Sequence, residues 1–330
     1  MTDNHLSLPG SSSIGGVLVI DKPPGWTSHD VVAKIRNITK IKKVGHTGTL
    51  DPFATGVLPL TLGRATRLTD YFLRSDKIYR GLMRFGYATS TFDLEGDPLS
   101  EDSQPILDRN RLEEVFLKYV GAVHQTLPPY SAKKVHGKPL YSYARKGIKI
   151  EPTTKEVVIR SLTLLGVNEN EVEFQLECAA GTYARSLAHD IGQDYGCGAH
   201  LVSLRRTRSG EFPIEGAIPL SDGKDFFPRD YFMAHMIPMS QLLSEIPAII
   251  ISPGDRQKVI HGTDLNLLTN TWETDEYRLV DETGDLVALA RRLQTFVSPV
   301  AQPVHWVRVH PHVIFWLTTP TLTGQTDDQR

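Results

Sequence analysis

The apolar positions of this chain change period repeatedly, and that limits its fold more than any single residue does. VLVI (residues 17–20) is a short apolar run, closed by Asp21-Lys22-Pro23-Pro24-Gly25, which can continue neither strand nor helix. Directly after it, HDVVAKIRNI puts Val31, Val32, Ile35 and Ile38 on one helical face, with Thr27 as N-cap. VLPLTLG (57–63) is extended, and ATRLTDYFLRS (65–75) reads as a helix with Leu68, Phe72 and Leu73 inward. KIYRGLMRFGYA (77–88) alternates, so Lys77, Tyr79, Gly81 and Met83 share one face of a strand. NRLEEVFLKYVG is amphipathic and helical, EVVIRSLTLLGV and NEVEFQLEC are strands, TYARSLAHDIGQDYG is a helix and HLVSLRRTRSG a strand. AIIIS and YRLVDETGDLVALAR follow, the latter two apolar runs around an Asp-Glu-Thr-Gly turn, a hairpin signal. Strands and helices interleave without a regular strand-helix-strand rhythm, which favours α+β over a doubly wound fold.

The chain has 330 residues, 40% hydrophobic and 22% charged, which fits a soluble globular protein of about two domains. Its two cysteines, Cys178 and Cys197, cannot form a disulfide framework and lack metal-type spacing; they read as small buried residues in a reducing compartment. No apolar run is long enough for a membrane span, and the polar start MTDNHLSLPGSSSIGG is no secretion signal, so a cytoplasmic location is expected. Net charge is −2, yet residues 34–84 hold 11 basic against 3 acidic residues. Residues 133–150 hold six (Lys133, Lys134, Lys138, Arg145, Lys146, Lys149) against none, while 221–330 are acidic, 9 against 14. Two basic segments in a near-neutral chain suggest a local footprint for a polyanion; each alone is more often a solvated face.

GHTGTLDPFATG (45–56) concentrates the candidate chemistry. Its glycines permit tight turns and close backbone approach, and Pro52 keeps Asp51 out of the helical region. An Asp-Pro taken alone is most often an Asx-type turn, the carboxylate bonding nearby N–H groups. A phosphate loop is a weaker reading, because the glycine spacing fits neither a Walker nor a dinucleotide pattern. A metal site on His46 and Asp51, with His29 as the other local candidate, lacks a ligand-type spacing.

The stretch closely resembles the catalytic motif of the TruB family of tRNA pseudouridine synthases, which modify uridine 55 in the T loop. GVLVIDKPPGWTSHD, KIYR, PPYSAKK, LYSYARKG and GTYARSLAHDIGQDYGCGAHLVSLRRT follow in the family's order and spacing, over about residues 16–220. The resemblance implies a pseudouridine synthase fold: an α+β domain with a mixed, largely antiparallel central sheet and flanking helices. It implies a flexible N-terminus at 1–15, a catalytic domain at 16–245 and an RNA-binding insertion at about 125–153. A small β-rich, PUA-like RNA-binding domain at 246–318 and a disordered tail at 319–330 complete the expected organisation.

The same resemblance implies the site. Asp51 matches the catalytic aspartate, Tyr79 the tyrosine that stacks on the target uracil, and Arg185 the arginine paired with the carboxylate. His46 matches a T-loop contact, Tyr183 and Leu204 line the base pocket, and Lys22 with Pro23 braces the catalytic loop. An ionised carboxylate can act as nucleophile or as proton acceptor at the sugar, and the residues alone leave both open. Arg185 is expected to hold Asp51 ionised. A base within a folded loop must be flipped out, and stacking on an aromatic ring is worth about 1–3 kcal/mol per base. No cofactor or metal is expected. The implied partner is the tRNA T arm and loop, bound by a monomer with no guide RNA and no membrane, with affinity that falls as salt rises. A tRNA-folding chaperone acting by binding alone and a metal-dependent hydrolase on His46 and Asp51 are the competing readings. The family's Thr-Asp-Thr pattern is here Thr89-Ser90-Thr91-Phe92-Asp93, so Arg185 is expected to have one acidic neighbour fewer; Leu127 also stands where the family commonly has a proline.

Overall fold

The computed structural model describes residues 15–128, 134–135, 138–139, 154–220, 227–271, 273–296 and 305–315. Most of the insertion expected at 125–153, the terminus before residue 15 and the expected tail lie outside the described residues. Two compact units account for the chain: Leu18–Thr61 with Thr69–His235, and a second formed by Met1–Val17, Leu62–Leu68 and Met236–Arg330.

The larger sheet runs in the order Ile218–Pro219, Gly15–Lys22, Thr55–Gly63, Ala199–Ser209, Lys77–Phe85, Glu171–Cys178, Thr154–Asn168 and Gly121–Thr126. Ala199–Ser209 pairs parallel with Thr55–Gly63 and antiparallel with Lys77–Phe85, and every pair beyond that is antiparallel. This is the mixed, largely antiparallel sheet that the family resemblance implies, in the α+β class that the changing period favours. The helix Ser28–Thr39 starts at a complete Thr27 capping box with Asp30 and buries Val31, Val32, Ile35 and Ile38. The cap is worth about 1 kcal/mol and each buried aliphatic about 1.5–3 kcal/mol. The segment read as one helix at 65–75 instead divides into a 3-10 turn, Arg64–Leu68, and one α turn, Thr69–Leu73, with Leu73 only half-buried. Lys77 ends that turn: its ammonium donates to the carbonyls of Phe72 (3.2 Å), Leu73 (2.8 Å) and Ser75, satisfying acceptors left open at a helix end. Of the cysteines, Cys178 is buried and Cys197 half-buried, and both are free thiols.

In the second unit a five-stranded sheet is ordered Ala248–Ile250, Glu276–Val280, Leu286–Phe296, His305–Ile314 and Leu265–Thr269. Its core joins Ile249, Leu265, Tyr277, Leu279, Val287 and Val307 to Val259 of the helix Pro253–Ile260. The expected hairpin is the pairing of Glu276–Val280 with Leu286–Phe296.

Candidate active site

The loop that carries Asp51 is pinned on both sides of that residue. Before it, the Leu50 N–H donates to Ser28 Oγ at 2.8 Å, and Ser28 Oγ donates back to the Leu50 carbonyl at 3.2 Å. After it, the Pro52 carbonyl accepts from Lys22 Nζ at 3.0 Å and from the Gly25 N–H at 2.8 Å. Lys22 is fully buried and also donates to the carbonyls of Pro23 (2.9 Å) and Trp26 (2.6 Å). Its ammonium therefore ties the Asp-Lys-Pro-Pro-Gly turn to the Asp51 loop. Burial lowers its pKa to about 8, against the pull of Asp51 and with the repulsion of Arg206. The Ala54 N–H closes a turn onto the Asp51 carbonyl at 3.1 Å.

The Asp51 carboxylate does not fold back on its own turn as an Asx turn does. It meets Arg185 along the side of the guanidinium, Nε to Oδ2 at 3.0 Å and Nη2 to Oδ1 at 3.1 Å. Arg185 lies in the first turn of the helix Ala184–Tyr195, where the helix dipole disfavours a cation, so carboxylates must hold it there. A second one does: Arg185 Nη1 donates to Asp93 Oδ2 at 3.1 Å. This corrects the expectation that Ser90 leaves Arg185 short of an acidic neighbour. Ser90 Oγ accepts from the Asp97 N–H at 3.0 Å, while Asp93, three residues on, supplies the carboxylate. Asp93 is itself fixed by the Thr91 hydroxyl and by the Glu95 N–H at 3.1 Å. The two acids differ in access: the Asp51 side chain is 34% exposed and that of Asp93 4%.

The charge balance at Asp51 also differs from expectation. Burial raises its pKa above the ordinary value, Arg185 opposes this, and the negative charge of Asp93 adds to the rise. The pull of Arg185 is present, but desolvation outweighs it, leaving a more basic carboxylate than an exposed aspartate.

Tyr79 stands on Lys77–Phe85 directly opposite Arg206 of Ala199–Ser209, and Gly81 opposite Leu204. Alternation therefore puts Tyr79, Leu204 and Arg206 on one face. Leu204 is 7% exposed and Tyr79 half-buried. Burial raises the Tyr79 phenol pKa, Arg206 opposes through its charge and a hydrogen bond, and Asp51 is close enough to add to the rise. Arg206 donates from Nε to the Val57 carbonyl at 2.6 Å and from Nη2 to the Gly48 carbonyl at 3.1 Å. Gly56 makes room for the Arg206 backbone, and Gly48 has a positive φ that favours glycine. A methyl on Gly56 (φ +100°) would fall 2.2 Å from the Arg206 carbonyl oxygen, and one on Gly48 (φ +140°) 3.4 Å from Nη1.

His46 is half-buried beneath the loop; its Nδ1 accepts from the Gly48 N–H at 3.4 Å. Burial, then Arg206 and His29, lower its pKa, which keeps the ring neutral. Tyr183 is the N-cap residue of the helix that bears Arg185, and its backbone N–H and carbonyl pair with the buried side-chain amide of Gln125 at 3.0 and 3.2 Å. Among the described residues, no three His, Cys, Asp or Glu side chains are grouped to hold a metal ion. The sequence reading missed Asp93, Arg206 and Gln125. Strand parity offered a signal for Arg206, which alternates with Leu204; no comparable local signal marks Asp93 or Gln125.

Comparison with known proteins defines the class first. Residues 36–184 match the model of the TruB family pseudouridylate synthase N-terminal domain, and residues 185–244 that of the tRNA pseudouridylate synthase B C-terminal domain. The protein is thus a pseudouridine synthase in fold, and solved structures agree. An H/ACA RNP bound to a substrate RNA containing 2'-deoxyuridine aligns over 92% of this chain and 85% of its own, with TM-score 0.68 and 28% identity. A Cbf5-Nop10-Gar1 complex aligns over 91% and 85%, with TM-score 0.66 and 29% identity. The tRNA pseudouridine synthase B of Solibacter usitatus is 45% identical over 83% of this chain and 94% of its own. That of Burkholderia pseudomallei is 38% identical over 87% and 96%. The chain belongs to the TruB family.

Proposed function

We propose that this protein isomerises a uridine of tRNA to pseudouridine, uridine 55 of the T loop, with Asp51 as the reacting carboxylate on a flipped-out nucleoside. The observation that carries this reading is the unequal pair on Arg185: one carboxylate buried and spent on the guanidinium, the other held by the same fork but open to solvent. The tRNA substrate is supported by the relatives' names, tRNA pseudouridine synthase B.

The chemistry needs no outside reactant. The C1′–N1 bond breaks, the uracil turns, C1′ joins C5, and the C5 proton is lost while N1 gains one. A carboxylate made more basic by burial suits either attack at C1′ or removal of a sugar proton. Tyr79 offers its ring to the flipped base, Leu204 and Tyr183 line the pocket that keeps the freed uracil in place, and His46 offers a contact to the T loop. Lys22 acts by bracing the Asp51 loop. The basic insertion and the five-stranded unit supply additional RNA contacts.

The test is pseudouridine formation on a tRNA transcript by wild type and Asp51→Asn, with tRNA affinity measured on both. Loss of product with affinity retained is expected. Product from both proteins would remove Asp51 from the chemistry, and product from neither would leave a tRNA-binding protein.

A further inference from the structure

Arg206 is the largest fully buried side chain among the described residues, at 1% exposure. Its hydrogen-bond partners are two carbonyls, the residue across the strand pair is the tyrosine Tyr79, and among the described residues no carboxylate pairs with it. A buried guanidinium without a counter-charge is costly unless its donors are satisfied, and hydrophobic packing could fill the same volume more cheaply. The cost spreads, because the Arg206 charge also depresses the pKa values of Lys22, Lys77 and His46. What the arrangement achieves is mechanical. One planar group, on the residue directly opposite Tyr79 in the strand pair, grips the Asp51 loop before the aspartate, at the Gly48 carbonyl, and after it, at the Val57 carbonyl.

We propose that Arg206 is a positioning residue that fixes the Tyr79 ring and the Asp51 loop in a single register, so that aromatic surface and carboxylate reach the target nucleoside together. This rests on the roles given above to Asp51 and Tyr79. Arg206 touches neither carboxylate and acts only through the groups it holds. A lysine keeps the charge, but its single ammonium cannot span both carbonyls with the geometry of a planar fork. The phenol hydroxyl, on the residue opposite Arg206, is then the handle by which the ring is oriented.

The experiment is a double-mutant cycle on tRNA pseudouridylation under single-turnover conditions, with Arg206→Lys, Tyr79→Phe and the double variant. Thermal unfolding and tRNA affinity are followed in parallel. The expected result is a rate at least tenfold lower for Arg206→Lys, with affinity within threefold of wild type. Tyr79→Phe, which keeps the ring, is also slowed, and the double variant is no slower than the worse single variant. Such non-additivity marks residues acting through one contact. Losses that multiply, or wild-type rate in Arg206→Lys, overturn the proposal. If Arg206→Lys does not fold, Tyr79→Phe alone decides: a full rate with phenylalanine means the Arg206–hydroxyl contact positions nothing, and a slowed rate with affinity retained supports it. Asp51→Asn separates this from the reaction itself. An inactive Asp51→Asn beside uncoupled Arg206 and Tyr79 defeats this inference alone, whereas an active Asp51→Asn defeats the catalytic reading.

Discussion

Arg185 meets Asp51 along the full side of its guanidinium, at 3.0 and 3.1 Å, and turns its remaining edge to Asp93 at 3.1 Å. One cation thus holds two acids of unequal exposure. This fixes the direction of the Asp51 carboxylate without removing it from solvent.

Because burial raises the Asp51 pKa and the proposed reaction uses its ionised form, rate is expected to be lost from a higher pH than for an exposed aspartate. The single-turnover rate is expected to fall about tenfold per pH unit below an inflection above 3.8, the ordinary value, which a pH–rate profile reads directly. An inflection at or below that value would mean that Arg185 outweighs desolvation.

Asp93→Asn removes a negative charge that pushes the Asp51 pKa up and leaves the Arg185 charge to Asp51 alone. The acidic inflection is expected to move to lower pH, and the plateau rate to fall by roughly tenfold as the carboxylate becomes less basic. Breaking this buried pair is expected to cost about 3 kcal/mol in urea unfolding.

Lys22 and Lys77 each have a folded pKa of about 8 against an ordinary 10.5. Above about pH 8 the folded chain has released protons that the unfolded chain still holds, so these groups make stability rise with pH; below it both states are protonated and the contribution is flat. The rise is clearest between about pH 8 and 9, because burial raises the pKa values of Cys178 and Tyr79 and they pull the other way at higher pH. Lys22→Met and Lys77→Met are each expected to flatten the slope of unfolding free energy across that interval. An unchanged slope in both would refute the assignment.

Gly56→Ala drives a methyl to 2.2 Å from the Arg206 carbonyl oxygen at a φ of +100°, where L residues are strained. A loss of at least about 2 kcal/mol is expected, together with loss of rate, because the Asp51 loop and the Arg206 strand must separate. Thermal unfolding and product formation measure the two effects.

Much of the fold was legible because its signals are local. The Thr27 cap, the helical face of Val31 to Ile38 and the alternation through Tyr79 each depend on residues within two turns or one strand. The segment at 65–75 misled because its apolar spacing fits a helix, yet Arg64–Leu68 winds as a 3-10 turn and only five residues, Thr69–Leu73, are α-helical. Asp93 was illegible for a different reason. Its carboxylate lies three residues from the position the pattern singled out, behind Phe92 at a left-handed φ of 67°, and no spacing rule anticipates that turn.

By itself the sequence determined where most of the strands and helices form, and it put Asp51 before a proline on a loop bounded by glycines. It did so because backbone propensity, capping and alternation act over a few residues. Tertiary structure decided what Asp51 meets. Its partner lies 134 residues away, the second acid 92 residues from that partner, and the Arg206 grip on Gly48 spans 158. Those encounters depend on the sheet order that sets Ala199–Ser209 between Thr55–Gly63 and Lys77–Phe85. Only that order converts a glycine-bounded turn into a carboxylate held open beside an aromatic ring.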